Sequence, residues 1–460
     1  MQATRTAWHA ARASFAGGGE RDEAPPGAGP RLRVAYVAYH FPPFGGGGTQ
    51  RSLKTVVHLP AFGLDPVVVT GPGRASGRWT PRDESLSAEL PHGLQVLRVP
   101  GPEPGDGRSR EWRDWWQEGV KATLRSLADV DVIHVSMSPF ATAAAVAQVS
   151  RDTGVPWIAE LRDPWALDEM LSFTTKLHRS LEVRHMRRVL SGSSSVVMNT
   201  PEAATRAKAV FPELAERITV IPNGYDSADF AHSLPTHEDG RFHIAHTGYL
   251  HTEEIHRTLR SRIRKLLGGE ILDVDVTTRS HLYLVEALRR LVREEPRLQD
   301  VIVLDLAGVV TPEDPKVAAD LEFVRFLGYL PHPESVALLR SADLLFLPMH
   351  KIRSGARAGI VPGKTFEYLA TGKPILAAVP EGDARDLVRT AGTGLICDPD
   401  DVAAMTRIIR SEIARWESGA EPPVADVEYV RRFERKVLSR GVADTLRRAA
   451  SSRHCRPQTG

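Results

Sequence analysis

Three clusters in this chain have residue types and spacings that could do chemistry. The first is FPPFGGGGTQRS (41–52). Four consecutive glycines let the backbone approach a ligand, and a helix opening after them offers unpaired N–H groups and a positive dipole end to an anion. The spacing misses G-x-G-x-x-G, which argues against a nicotinamide cofactor. The second is AELRDPWA (159–166), where Arg162 and Asp163 follow an apolar run and Pro164 keeps a helix from starting. A carboxylate at 163 could take an acceptor's proton or stabilise positive charge on a reacting centre. It could equally cap a turn beside Arg162, and the sequence leaves both readings open.

The third cluster is GIVPGKTFEYLATGKPILA (359–377). Pro362-Gly363-Lys364 precedes a helix with Phe366, Leu369 and Ala370 at helical spacing, and Gly372-Lys373-Pro374 ends it. Lys364 and the first-turn N–H groups suit a diphosphate, and Glu367, one turn in, can accept two hydrogen bonds from a ribose diol. Phe366 and Leu369 read as core. AGIVPGKT (358–365) also nearly spells a P-loop, with VIVLD (301–305) as the strand and acid that would hold magnesium. Against that reading, the run DLLFLPM ends nine residues before Ala358 and the acidic strand precedes the loop. Pro362 also lacks the N–H that such a cradle needs.

The elements that must carry these clusters alternate. RVAYVAY (33–39), DPVVVTG (65–71), LQVLRV (94–99), DVIHVS (131–136), PWIAEL (156–161), SSVVMNT (194–200) and ITVIPN (218–223) read as strands with helical sequence between most of them. A second series follows in FHIAHTG (242–248), VIVLDLAG (301–308), EFVRFLGYL (322–330), DLLFLPM (343–349), PILAAV (374–379) and TGLICD (393–398). Continuous apolar strands alternating with helices predict parallel sheets covered on both faces. The expected architecture is α/β: a tail at 1–30, a Rossmann-like domain at 31–230, a second at 240–425, and a terminal helix at 427–452. A ligand cleft then lies between the carboxyl edges of the sheets. Residues 105–127 and 249–277 read as insertions.

Composition bounds the function. The 460 residues carry 59 Lys+Arg against 57 Asp+Glu, a net charge of +2 that gives no reason to expect nucleic acid. Two separated cysteines, Cys397 and Cys455, cannot form a disulfide framework or a metal cluster, so a reduced cytoplasmic setting is expected. No apolar run approaches the roughly 20 residues of a membrane span, and the first 30 residues lack the apolar core of a signal peptide.

Taken together, the motifs resemble those of the family-4-like glycosyltransferases with GT-B fold. The matching pieces are FPPFGGGGTQRS, DVIHVS, VPWIAELRDPW, VVMNTPE, ITVIPNGYD, FHIAHTGYL, FLGYLPHPESVALLRSADLLFLP, GIVPGKTFEYLATGKPILA and AGTGLICDPDDV, in the family's order over most of 31–410. The resemblance implies sugar transfer from a nucleoside-diphosphate donor with retention, no metal and no other cofactor. It implies that Gly47 and Gly48 approach the donor diphosphate and the acceptor, and that Gly248 opens the donor domain. Gly363 and Lys364 would hold phosphate and Glu367 the ribose, while Gly328, Tyr329 and Leu330 line the base pocket through their backbone. It also implies that the terminal helix crosses back onto the first domain.

The chain departs from that family in three places. A first glutamate eight residues before the ribose-binding one is replaced by Gly359, and no acid occurs from His350 to Phe366. The Arg and Lys that clamp the diphosphate soon after the counterpart of Gly248 are displaced by the 249–277 stretch, and Arg279 is the candidate for that role. Arg162 and Asp163 stand where relatives carry a histidine, so they are the candidate catalytic pair. The missing glutamate also keeps open a catalytically silent subunit that binds nucleotide sugar. Finally, KLHRSLEVRHMRRVL (176–190) has two readings, a contact with the anionic inner face of a membrane or a solvated helix face. Leu177, Leu181, Met186, Val189 and Leu190 at core spacing favour the second.

Overall fold

The computed structural model describes residues 31–74, 81–101, 109–231, 237, 239–253 and 273–454. The 1–30 tail and most of the 249–277 stretch lie outside these residues. The first sheet has seven parallel strands: β1 (Leu32–Ala38), β2 (Leu64–Thr70), β3 (Gln95–Arg98), β4 (Val132–Ser136), β5 (Trp157–Leu161), β6 (Ser195–Met198) and β7 (Ile218–Val220). They lie in the order β3-β2-β1-β4-β5-β6-β7.

The second sheet repeats that plan with β8 (Phe242–Thr247), β10 (Ile302–Ala307), β11 (Val324–Gly328), β12 (Leu344–Pro348), β14 (Ile375–Ala378) and β15 (Gly394–Cys397). Their order is β11-β10-β8-β12-β14-β15, all parallel. A two-stranded antiparallel ribbon joins β9 (Val274–Asp275) to β13 (Lys351–Ile352). In both sheets the order reverses beside the first strand, so the loops after β1 and β8 sit at topological switch points, where open α/β sheets bind ligands. The expected two-domain Rossmann-like architecture is present.

Among the described residues, twelve helices cover the sheets: α1 (Gly47–His58), α2 (Arg110–Ser126), α3 (Ala141–Thr153), α4 (Lys176–Leu190), α5 (Pro201–Val210), α6 (Leu282–Glu294), α7 (His332–Ser341), α8 (Lys364–Thr371), α9 (Asp383–Ala391), α10 (Val402–Glu417), α11 (Val427–Arg431) and α12 (Arg435–His454), with single-turn segments between some of them. Local chemistry sets the ends that matter for the cleft. Gly46 turns into α1 at φ 90°, ψ 160°, a backbone state essentially confined to glycine. Thr200 caps α5 through Ala203 N, with Pro201 at the first helical position. Gly372 closes α8 in the left-handed region.

Three sequence readings need correction. Residues 109–126 are not an insertion: α2 buries Trp112, Trp116, Val120 and Leu124 in the first core, and Trp116 packs edge-on against Tyr39 with ring centroids 4.9 Å apart. On α4, Met186, Val189 and Leu190 are buried, but Leu177 and Leu181 are 67% and 51% exposed, so the core spacing holds for only three of the five. The basic terminal stretch is two helices, because Glu434 bridges Tyr225 and Tyr225 donates its N–H to Phe433 O. The longer one, α12, returns to the first sheet, where Leu438, Val442, Ala443 and Leu446 pack with Val34, Tyr36, Leu53 and Val56. Among the described residues no helix is long and apolar enough to cross a membrane.

Candidate active site

On the second domain, α8 begins with Lys364, and its ammonium lies 3.1 Å from Nε2 of His246 in β8. Nδ1 of that ring bonds Phe346 O at 2.9 Å, so Nδ1 carries the proton and Nε2 accepts from the lysine. Gly248 follows at φ 106°, and a Cβ there would stand 2.5 Å from Lys364 Nζ, so the close approach requires glycine. Burial pushes Lys364 down to about 7, Arg279 adds to the shift, and Glu367 opposes it. Burial also lowers Arg279, against the pull of Asp163, Asp168 and Glu169. Among the described residues the Arg279 guanidinium makes no hydrogen bond or ion pair. Lys364 at a helix start and Arg279, whose charge reaches it, have no carboxylate bonded to either, a combination suited to an anion.

One turn along α8, Glu367 Oε1 lies 3.2 Å from His332 Nε2. Burial alone would raise this carboxyl, but the His332 bond, Arg435 and Lys364 together hold it below its usual range. Gly308 N donates to Gly328 O at 2.8 Å, Leu330 O accepts from Ser335 Oγ, and Gly363 immediately precedes Lys364. Tyr329, expected to act through its backbone, also engages its side chain. Its hydroxyl crosses the cleft to Asp83 Oδ2 at 2.9 Å, and a Cβ on Gly45 would meet it at 2.5 Å.

On the first domain, the Arg162 guanidinium lies directly over Gly48, so any side chain at 48 would collide with it, while Gly47 faces open space. Asp163 is exposed, and its charge acts on Asp168 and on Arg279 across the cleft. Two residues on, Trp165 takes φ 50°, an unusual state for a bulky residue and a mark of a turn held by its surroundings. Burial pushes Asp168 up to about 6, helped by Asp163 and Glu169. The structure therefore brings Asp163 near Arg279, and Arg162 onto the Gly-rich loop.

Several residues of this site carried no local signal. His40, two residues after β1, has a buried Nδ1 without a hydrogen-bond partner, and burial, helped by Arg162, pushes the ring down to about 3. Glu169 is the most informative. The acid-free segment from His350 to Phe366 receives its carboxylate from the other domain: Glu169 bonds His350 Nε2 at 2.9 Å, Gly359 N at 3.2 and 3.1 Å, and Arg206 at 2.6 Å. Its side chain is 9% exposed. Burial would raise it, but these donors outweigh burial and hold it down to about 2. Position 359 itself has little room, since a Cβ there would lie 3.3 Å from Glu202 Cγ.

The P-loop reading fails on the geometry. Asp305, the acid that would hold magnesium, is buried in β10 and spent on Arg325 at 2.6 and 2.7 Å and on His243 at 3.4 Å.

The comparisons with known proteins agree with this layout. The Glycosyltransferase Family 4 pattern matches residues 45–229, and that of Glycosyl transferases group 1 matches residues 274–414. The chain is 23% identical over 398 residues to a glycogen synthase of Mycobacterium tuberculosis, covering 83% of this chain and 86% of that one. Among solved structures it resembles Anabaena Alr3699/HepE in complex with UDP and glucose, with a TM-score of 0.58 and 16% identity over 91% of this chain and 100% of that one. It also resembles sucrose-phosphate synthase from Thermosynechococcus elongatus, with a TM-score of 0.55 and 14% identity over 92% and 97% of the two chains. With two facing Rossmann-like domains, and family patterns matching the first and then the second, this chain belongs to the family-4-like glycosyltransferases of GT-B fold.

Proposed function

We propose that the chain transfers a sugar from a nucleoside-diphosphate donor to an acceptor hydroxyl, with retention and without a metal ion. The observation that carries this reading is the pair Lys364, at the start of α8 and 3.1 Å from His246, and Arg279, whose charge reaches it, with no carboxylate bonded to either. In the transfer, the bond from the sugar's anomeric carbon to the diphosphate breaks, a bond to the acceptor oxygen forms, and the acceptor's proton leaves. Lys364, Arg279 and the α8 N-terminus meet the charge that develops on the departing diphosphate, the part a metal would otherwise play. Glu367 holds the ribose diol, and Asp163 acts at the sugar or the acceptor from the opposite wall. Retention rests on the motif resemblance. The UDP bound in the Anabaena structure makes a nucleoside diphosphate the natural first probe.

One group of three potential metal ligands occurs among the described residues, Glu89, Asp229 and His332. Lys54 already places its ammonium 2.7 Å from Glu89 and 2.6 Å from Asp229, so the cation there is the protein's own.

The ribose assignment predicts that Glu367→Ala weakens nucleoside-diphosphate binding about ten- to a hundredfold, the worth of a charge-assisted hydrogen bond. The fold should survive, because His332 keeps Asp229 as a second acidic neighbour at 3.9 Å. Calorimetric titration of UDP, ADP and GDP into both proteins reads the effect. Equal affinities would remove Glu367 from the donor site.

A further inference from the structure

Arg435 opens α12, the helix that crosses back to the first sheet, and its N–H donates to Tyr225 O at 2.7 Å. The residue is only 5% exposed. Among the described residues its guanidinium makes no hydrogen bond and no ion pair. A guanidinium carries five N–H donors, and burying them without partners is strongly unfavourable unless something else meets them.

The charges that act on Arg435 come from both domains. Burial pushes it down to about 10 and Arg51 of α1 adds to that, while Glu367 of α8 and Glu160 of β5 pull the other way. Neither carboxylate is bonded to it, and each is engaged elsewhere through its Oε1. Glu160 is bonded to Arg51 at 2.6 and 2.9 Å, and Glu367 is bonded to His332. Arg51 in turn donates to Asn223 Oδ1, and a Cβ on Gly363 would stand 3.8 Å from Asn223 Nδ2. The helix after the Gly-rich loop and the helix carrying Lys364 and Glu367 are thus separated there by little more than one side chain. Arg435 lies in electrostatic reach of both, a guanidinium with no bonded partner near the carboxylate assigned to the ribose.

We propose that Arg435 is a nucleotide-binding residue, carried into the cleft by the crossing helix to meet the phosphate nearest the ribose. This rests on the nucleoside-diphosphate donor of the reading above. It gives the terminal helix a part in substrate binding as well as in holding the domains together. The ligand chemistry is a phosphate oxyanion next to a ribose, which a guanidinium fork recognises better than an ammonium.

The test begins with UDP, ADP and GDP titrated calorimetrically into the wild-type protein. The tightest binder is then compared with its parent nucleoside, read by competition, in wild type, Arg435→Ala and Arg435→Lys. Arg435→Ala should weaken the diphosphate about ten- to a hundredfold and leave the nucleoside unchanged. Arg435→Lys keeps charge and stem, reports even if the alanine variant does not fold, and should lose affinity severalfold through loss of the fork. A diphosphate-to-nucleoside ratio equal to wild type in the folded variants would overturn the assignment and leave the donor reading standing. Failure of all three diphosphates to bind wild type would overturn both.

Discussion

Asp163→Asn is expected to lower turnover by about 10²–10⁴-fold, the range of a lost general base or charge stabiliser, while nucleoside-diphosphate affinity holds. β5 ends at Leu161 and delivers Asp163 to the carboxyl edge of the first sheet, facing Arg279. The competing role, a turn cap, requires the carboxylate to accept a local hydrogen bond. Among the described residues it accepts none; the bond that closes the turn runs from Trp165 N to the Asp163 carbonyl at 2.8 Å. Asn keeps the shape and cannot carry the charge, so the loss should appear in kcat. The measurement is diphosphate release from the donor sugar in both proteins, with binding followed separately. A near wild-type kcat would make Asp163 structural and move the search to Arg162 and His40.

Arg51→Met should destabilise the first domain by about 3–5 kcal/mol, the cost of leaving one member of a buried ion pair behind. Both partners are almost fully buried, and Arg51 spends its donors on Glu160, Ile221 O, Pro222 O and Asn223. Met fills the stem's volume but strands Glu160, whose carboxyl is held below its usual range by Arg51 and, to a smaller extent, His134 against the opposing effect of burial. The same residue ties α1, and so the Gly-rich loop, to the segment leading into the second domain. Urea denaturation followed by tryptophan fluorescence reads this domain, since Trp112, Trp116 and Trp157 are in its core. A loss below about 1 kcal/mol, the worth of an ordinary hydrogen bond, would show that the pair is dispensable.

Much of the fold was legible because its signals are local. The parallel strands are short apolar runs such as VVV (67–69), with Val67 and Val69 in one core and Val68 in another, and VIVLDLA (301–307), with Ile302, Leu304 and Leu306 in one core. The helix α8 was equally readable, since Pro362-Gly363 before it and Gly372 after it mark its ends. The Trp-rich helix was missed although its spacing was available: Trp112, Trp116, Val120 and Leu124 recur every four residues, and the intervening charges masked one apolar stripe. Leu177 and Leu181 fit the same helical spacing and are exposed, because periodicity names a face without saying what covers it. Glu169 and Arg435 were out of reach for another reason. Their meaning lies in partners from the other domain, as when Glu169 meets Gly359 across 190 positions of chain. No composition rule reports such a contact.

The most direct test is turnover in chelator. The wild-type protein is incubated with nucleotide sugars and EDTA, and release of the nucleoside diphosphate is followed beside Lys364→Met. The predicted result is release that proceeds undiminished in EDTA and falls by at least about tenfold in the variant, since Lys364 meets charge developing on the leaving group. Release that vanishes in chelator and returns with magnesium or manganese would contradict the cation cradle. Binding of the nucleotide sugar with no release under any condition would contradict catalysis itself and leave a nucleotide-sugar-binding subunit.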